Sequence, residues 1–466
     1  MNLLLKYKLL LISLLIISGC VSDKNLTDNT YFGGKIINPK SNKVFFYEGS
    51  ELLDSAKLNE KNKFIFKFDS LKVGLYTFEH GREFQYIFLE PTDSLLLRLN
   101  TWDFDESLVY SGKGSERNNL LINIFLENEK EDKLVYQYYS LNDSLFENKL
   151  DSLLQLKKIL YKHYKEDVID NSTLFEEFIN AAIYLPIYKK KEAYPYRNKM
   201  VLKYDSYPHM SPLFYKYRKN VDLNNENLQD FYAYQEYIRA YLFHLSYEGQ
   251  IIDKNNNIKV NFIESTIDHI RIDRLKNKFL YEAMWDIFLD EKINTAEKEK
   301  ASKLFFDNCN DQSLTQIVEG LIKASESPKK GSNLPNIELY SIADEKIRVD
   351  DIIKDNNTVI YFWPRRLRQI ENLAKRVNYL EKRYPEIKFI GINSKIIDYN
   401  WKAFVKSNNF NSINQFRLDK KSNENDWLYI DYSRTIIVDK NGIIQNGFTH
   451  LSIPKFEKQL KKLNKH

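Results

Sequence analysis

Few residues in this sequence stand in a pattern that carries covalent chemistry. It holds two cysteines, Cys20 and Cys309, and seven scattered histidines without a His-x-x-x-His pair or mixed Cys/His spacing. No metal and no cofactor are therefore expected. Gly112-Lys113-Gly114-Ser115 lacks the spacing of a phosphate loop, and a pair such as Asp268-His269 reads as a surface or satisfied core couple. Cys309 follows the helical stretch Ser302–Asn308, where a lone thiol packs as a small apolar residue. The remaining cluster is Arg365, Arg366 and Arg368 at the start of an amphipathic run. Free backbone N–H groups at a helix start, joined by guanidinium groups, can hold a carboxylate or phosphate. An anion or acidic peptide is the expected contact there, against the plainer reading of three solvated arginines.

The chain's start bears on location. Lys6 and Lys8 precede an apolar run, Leu9 to Ile17, that is too short to span a bilayer, and small residues lead into Cys20. Residues 1–19 read as a signal peptide. Ile17-Ser18-Gly19-Cys20 resembles the bacterial lipobox, which implies lipidation of Cys20 and a tether over 20–30. The partners expected are thus a membrane, reached through the amino-terminal lipid, and an unidentified envelope protein or acidic peptide. The location implied is the cell envelope, facing the periplasm. Val21 supplies no inner-membrane aspartate signal, which favours the outer membrane. The net charge is +5, yet from Gly331 onward 24 Lys and Arg stand against 16 Asp and Glu. An exported lipoprotein does not meet nucleic acid, so this surplus reads as solvated surface or attraction to an acidic partner or lipid.

Three textures follow along the chain. Residues 31–114 alternate with period two, as in Lys63–Phe68 and Leu95–Leu99, between Gly, Pro and Asp turns, which predicts an antiparallel β-sandwich. Residues 115–324 hold two glycines, Gly249 and Gly320, and apolar residues at helical spacing, so an all-α middle domain is expected. Pro186, Pro195, Pro208 and Pro212 should divide it into separate helices. Residues 325–333 read as a polar linker. From 334 to 466 strands alternate with helices: a strand ending at Trp363, a helix over about Arg366 to Tyr384, a strand Ile387–Ile392, a helix around Trp401, a hairpin turning at Asn441-Gly442 and a last helix. The fold class expected is thus multidomain: sandwich, helical middle, and a carboxy-terminal α/β domain.

Two resemblances sharpen this. Gly34-Lys35-Ile36, Gly74-Leu75-Tyr76, Leu89–Ser94, Ser111–Gly114 and Asn118-Asn119 follow in the order of the β-domain called DUF4369, which precedes thioredoxin-like domains in Bacteroidota lipoproteins. Residues 334–463 resemble the TlpA-like and ResA-like thiol-disulfide oxidoreductases, through Leu334-Pro335-Asn336, Tyr361-Phe362-Trp363, Gly391-Ile392-Asn393, Trp401 and Arg434–Gly442. The resemblance implies a thioredoxin-like fold whose first cysteine sits at a helix amino end, as an attacking thiolate, with a second cysteine to resolve the mixed disulfide. The matching positions here are Leu367 and Ile370, which carry no nucleophile. The family's cis-proline position is Ser433. No catalytic residue is therefore expected, and the protein reads as an envelope-anchored binding or scaffolding lipoprotein. The competing class is a thiol-disulfide oxidoreductase of envelope redox homeostasis, as the family implies. Five Asp-Ser-apolar triplets, at Ser55, Ser70, Ser94, Ser144 and Ser152, also look like Bacteroidota O-glycosylation sites; Asp-Ser is equally ordinary turn and cap chemistry.

Overall fold

The computed structural model describes residues 29–81, 83–168, 172–252, 257–363, 367–393, 401–418 and 434–463. The chain divides into two compact units, Met1–Met210 with Asp230–Tyr234, and Ser211–Gln229 with Gln235–His466. The expected helical stretch is shared between them.

The first unit opens with eight strands: β1 Thr30–Ile37, β2 Lys43–Glu48, β3 Glu51–Lys57, β4 Lys63–Phe68, β5 Gly74–His80, β6 Glu83–Leu89, β7 Ser94–Asn100 and β8 Val109–Lys113. They form two four-stranded sheets, ordered β4-β1-β7-β8 and β3-β2-β5-β6. Alternation along each strand sends one set of side chains inward, and Phe32 of the first sheet meets Phe46 and Phe78 of the second at centroid distances of 5.8 and 5.5 Å. The sandwich is not purely antiparallel: β1 and β7 run parallel. They are far apart in sequence, and the chain crosses between sheets before β7 returns beside β1, so no hairpin dictates their direction.

Three helices follow, α1 Ser115–Tyr138, α2 Asp143–Asp167 and α3 Thr173–Leu202. The Asn118-Asn119 pair explains how α1 meets the sandwich. Asn118 accepts from Phe88 N and donates to Phe88 O, both at 2.8 Å; Asn119 does the same with Tyr110, at 2.9 and 3.0 Å. Two adjacent amides thereby satisfy the edge strands of both sheets. The expectation that prolines break the helices fails for Pro186 and Pro195, which lie inside the 30-residue α3. Pro186 has no N–H for Ala182 O, one turn back, and the Asn128 amide donates to that oxygen instead, at 3.0 Å. Asn128 belongs to a buried cluster in which Glu131 holds both Lys157, at 3.0 Å, and Lys190, at 3.2 Å.

Helix α4, Tyr232–Ile252, leads on from the first unit's last segment. The second unit then carries α5 Ile258–His269, α6 Asp273–Phe288, α7 Thr295–Asn308 and α8 Gln312–Glu326. Next come β9 Glu338–Tyr340, β10 Lys346–Arg348, α9 Val349–Ile353, β11 Thr358–Phe362, α10 Leu367–Arg383, β12 Lys388–Asn393, α11 Trp401–Ser407, β13 Gln415–Leu418, β14 Thr435–Val438, β15 Ile444–Thr449 and α12 Phe456–Leu463. The seven strands order as β10-β9-β13-β12-β11-β14-β15. β11, β12 and β13 are parallel, β14 is antiparallel to β11, and β15 is antiparallel to β14 at the end of the sheet. Central β11 is buried throughout, with Ile360 and Phe362 on one face and Val359 and Tyr361 on the other, as a strand covered on both sides must be.

The turn before β15 is wider than a two-residue Asn-Gly hairpin. Gly442 N donates to Asp439 O, and only Gly442 takes a positive φ, 78°, a conformation that glycine adopts without strain. The stretch 325–333 is not free-standing: Gly331 N bonds to Ile444 O at 2.8 Å and Ile444 N to Ser332 O at 2.9 Å, so it runs along β15.

Candidate functional site

Chemistry on this frame would sit where β11 ends and α10 begins. β11 stops at Phe362, Trp363 N still bonds to Ile392 O at 2.9 Å, and α10 starts at Leu367. Of the arginine cluster, Arg365 and Arg366 lie outside the described residues, as do Ser433 and Cys20. Arg368 and Leu367 lie in the first turn of α10, and their side chains are outside the described set. Ile370 is described: it is fully buried and packs with Ala374, Val377 and Leu380, the apolar stripe by which α10 meets the sheet. The position expected to match a resolving thiol is thus a core position.

Beneath this corner lies a polar cluster. The Gln415 side chain, fully buried on β13, accepts from Trp363 Nε1 at 3.2 Å and exchanges hydrogen bonds with the Tyr361 hydroxyl at 2.8 and 3.2 Å. Burial raises the Tyr361 phenol far above its ordinary range, so it stays neutral and serves as a donor. Trp363 also stacks on Phe410 at 5.2 Å and meets Trp401 edge-on at 6.3 Å. Gly391 makes the arrangement possible: a Cβ there would fall 2.0 Å from Gln415 Oε1 and 2.8 Å from the Tyr361 ring. The Gly391-Ile392-Asn393 motif therefore has a packing cause, and the signal missed in the sequence was a glutamine opening a buried strand.

Beside β11 sits Arg434, 1% exposed, immediately after the cis-proline position of the resemblance. Its guanidinium donates to Ala324 O at 2.9 Å and Ser327 O at 3.2 Å, and lies over the Phe362 ring at 5.8 Å. A cation thereby meets the free carbonyls at the end of α8. Its signal was a charged residue heading an otherwise apolar strand. Phe448 of β15 joins the same junction by packing into the core of α5–α8.

The one described thiol, Cys309, is buried after α7 among residues of that helical core, whereas Ile370 belongs to the cluster under α10. Burial pushes its thiol up from the usual range, which disfavours the thiolate. The five triplet serines are all exposed. Asp93, before Ser94, is buried and bound to Arg117 at 2.5 Å; Asp54 and Asp143 accept from the N–H of the serine that follows, at 2.7 and 2.9 Å; Ser152 Oγ donates to Asn148 O at 2.9 Å. Among the described residues, no group of three or more His, Cys, Asp or Glu is placed to hold a metal, and no helix is long and apolar enough to cross a membrane.

Structural comparison finds similar frames in the thioredoxin domain of a thiol-disulfide oxidoreductase from Bacteroides vulgatus (16% identity, 30% of this chain and 98% of that one, TM-score 0.25). It also finds a thiol-disulfide oxidoreductase from Bacteroides fragilis (15%, 28% and 99%, TM-score 0.25). A thiol:disulfide interchange protein from Bacteroides sp. matches likewise (17%, 25% and 80%, TM-score 0.23). At such scores these likenesses carry no argument about activity. No family model matches the sequence. No curated protein matches it either.

Proposed function

We propose that this protein is an envelope lipoprotein, held by lipid on Cys20, whose thioredoxin-like domain binds or scaffolds a partner and does not exchange disulfides. The observation that carries the reading is at α10. Ile370 is a fully buried core residue where a resolving thiol would be needed, and Leu367 stands at the helix start where a nucleophile would be. Dithiol exchange needs an attacking thiolate and a second thiol to release the mixed disulfide. Cys309 supplies neither, being single, buried and disfavoured as thiolate. The acidic contact is assigned to Arg365, Arg366 and Arg368.

The test of the chemistry is insulin reduction by dithiothreitol with the purified protein. The expected rate equals the dithiothreitol background, and turnover above it would return the oxidoreductase reading. Palmitate labelling of the parent, lost in Cys20→Ala, tests the anchor. Cross-linking and pull-down from membranes, compared between parent and the triple Arg→Ser variant, tests the contact; an unchanged set of partners would remove the arginines from it.

A further inference from the structure

The outward face of the sheet β4-β1-β7-β8 has a charge pattern that folding alone does not favour. Register places Lys63 opposite Lys35 and Lys35 opposite Arg98, so three cations stand side by side on three neighbouring strands. Strands in a sheet lie ~4.8 Å apart. Like charges directly opposite one another destabilise a sheet. Lys67 and Lys113 extend the pattern along the row through Tyr31 and Ser94. All five cations are exposed, and no outward position of these strands is acidic. Among the described residues, Lys67 alone of the five has a carboxylate partner, Asp69 at 3.1 Å.

Apolar side chains sit between the charges. Ile65, Leu96 and Val109 are 56%, 47% and 57% exposed. Ile65 and Leu96 flank Gly33 on the row between the two charged ones. Ile65 lies across that glycine: a Cβ on Gly33 would come within 2.7 Å of its Cδ1. Flat apolar groups ringed by cations match a surface that presents anionic headgroups over hydrocarbon.

We infer that this face docks on an anionic phospholipid surface. The inference rests on the proposed lipid at Cys20, and the chain length supports it. Cys20 precedes Thr30, the first residue of β1, by ten residues. Even fully extended, ten residues reach at most about 35 Å. Because β1 is itself a strand of this sheet, the lipid would hold the sandwich at the bilayer, and the cationic face is the side complementary to it. Docking restricts the tether's freedom and orients the first unit against the membrane.

The test uses the chain from Val21 to His466, made without lipid, and vesicles of phosphatidylcholine alone or with roughly a quarter phosphatidylglycerol. Co-sedimentation should show binding to the anionic vesicles only, falling steeply with salt as screened charges require. Lys63→Gln with Lys35→Gln and Arg98→Gln should weaken binding by on the order of tenfold or more. A control with equal charge loss, Lys57→Gln, Lys61→Gln and Lys72→Gln, should weaken it far less. Removing the like-charge row should leave the melting temperature unchanged or higher, so a loss of binding is not a loss of fold. Equal binding to both vesicles, or equal loss in both triple variants, overturns the inference, as does a row-dependent self-association that excludes vesicles. Intact mass of the membrane-extracted protein reads Cys20 acylation separately. An acylated protein whose unlipidated form ignores anionic vesicles keeps the anchor and removes the docking face; binding without acylation does the reverse.

Discussion

Gly391→Ala tests the buried corner most directly. The added Cβ would lie 2.0 Å from Gln415 Oε1 and 2.8 Å from the Tyr361 ring, with all these groups enclosed. Either the ring and strand shift, at ~1–3 kcal/mol for overpacking, or the amide turns away. If it turns, Trp363 Nε1 loses the acceptor it holds at 3.2 Å, and the Tyr361 hydroxyl loses its bonds at 2.8 and 3.2 Å. A buried donor left alone costs ~1–3 kcal/mol. Alanine is a better strand residue than glycine by ~0.5–1 kcal/mol, which offsets part of the loss. The expected net loss is about 1–3 kcal/mol, read as a lower urea midpoint at unchanged slope, with altered near-ultraviolet dichroism from Trp363. Gln415→Ala alone should cost about 2–3 kcal/mol through the same unpaired donors and a cavity. In the double variant the new methyl occupies space the amide has vacated, so the two losses should fall short of additivity by at least about 1 kcal/mol. A Gly391→Ala protein within about 0.5 kcal/mol of the parent, or a strictly additive pair, would refute this reasoning.

Four other outcomes are expected. Burial pushes Asp105 up to about 6 despite the hydrogen bond it accepts from Gln85 at 2.8 Å. The folded state therefore holds a proton that the unfolded chain has released, and stability is lost as pH rises from about 4 to 6; Asp105→Asn should gain on the parent across that window by ~1–2 kcal/mol after allowance for solvent screening, measured by urea unfolding at pH 4 and pH 7. Glu131→Gln leaves the buried Lys157 facing a neutral amide, while Lys190 keeps Asp132 at 2.8 Å, and should cost ~3–5 kcal/mol at neutral pH. Because Lys157 is already pushed down to about 8, chiefly by burial, the deficit should shrink above that pH, and a deficit that grows would contradict the assignment. Asn128→Ala exposes Ala182 O beside Pro186 and should cost ~1–3 kcal/mol, while Pro186→Ala in that background restores the missing N–H and should recover part of the loss in thermal melts. Insulin reduction with dithiothreitol should stay at background for the parent protein.

Much of the fold was legible because apolar period is a local property. The fully apolar run before Trp363 became central β11, the stripe after it became α10, and the alternation in Lys63–Phe68 became β4. The errors came from partners distant in sequence. Pro186 read as a helix breaker until Asn128, on another helix, supplied the lost donor. The parallel pairing of β1 with β7 has no hairpin to announce it. The stretch 325–333 read as a linker because its hydrogen bonds go to β15, more than a hundred residues later.

By itself, the sequence determined which atoms are on hand at each position. Covalent chemistry depends on those atoms, and leucine at 367 and isoleucine at 370 carry no nucleophile in any arrangement of the backbone. It also determined where apolar faces would form, since helix and strand periods are properties of neighbouring residues. Only the tertiary structure decided which distant residues face one another. Lys35, Lys63 and Arg98 are ordinary surface cations in the sequence, and they become one charged row because strand pairing in two directions sets them side by side. Gln415 and Gly391 likewise acquire meaning from the register of β12 with β13, and Arg434 from the carbonyls at the end of α8. Such pairings follow from the closure of long loops around a shared core, and residue type and spacing do not encode that information one segment at a time.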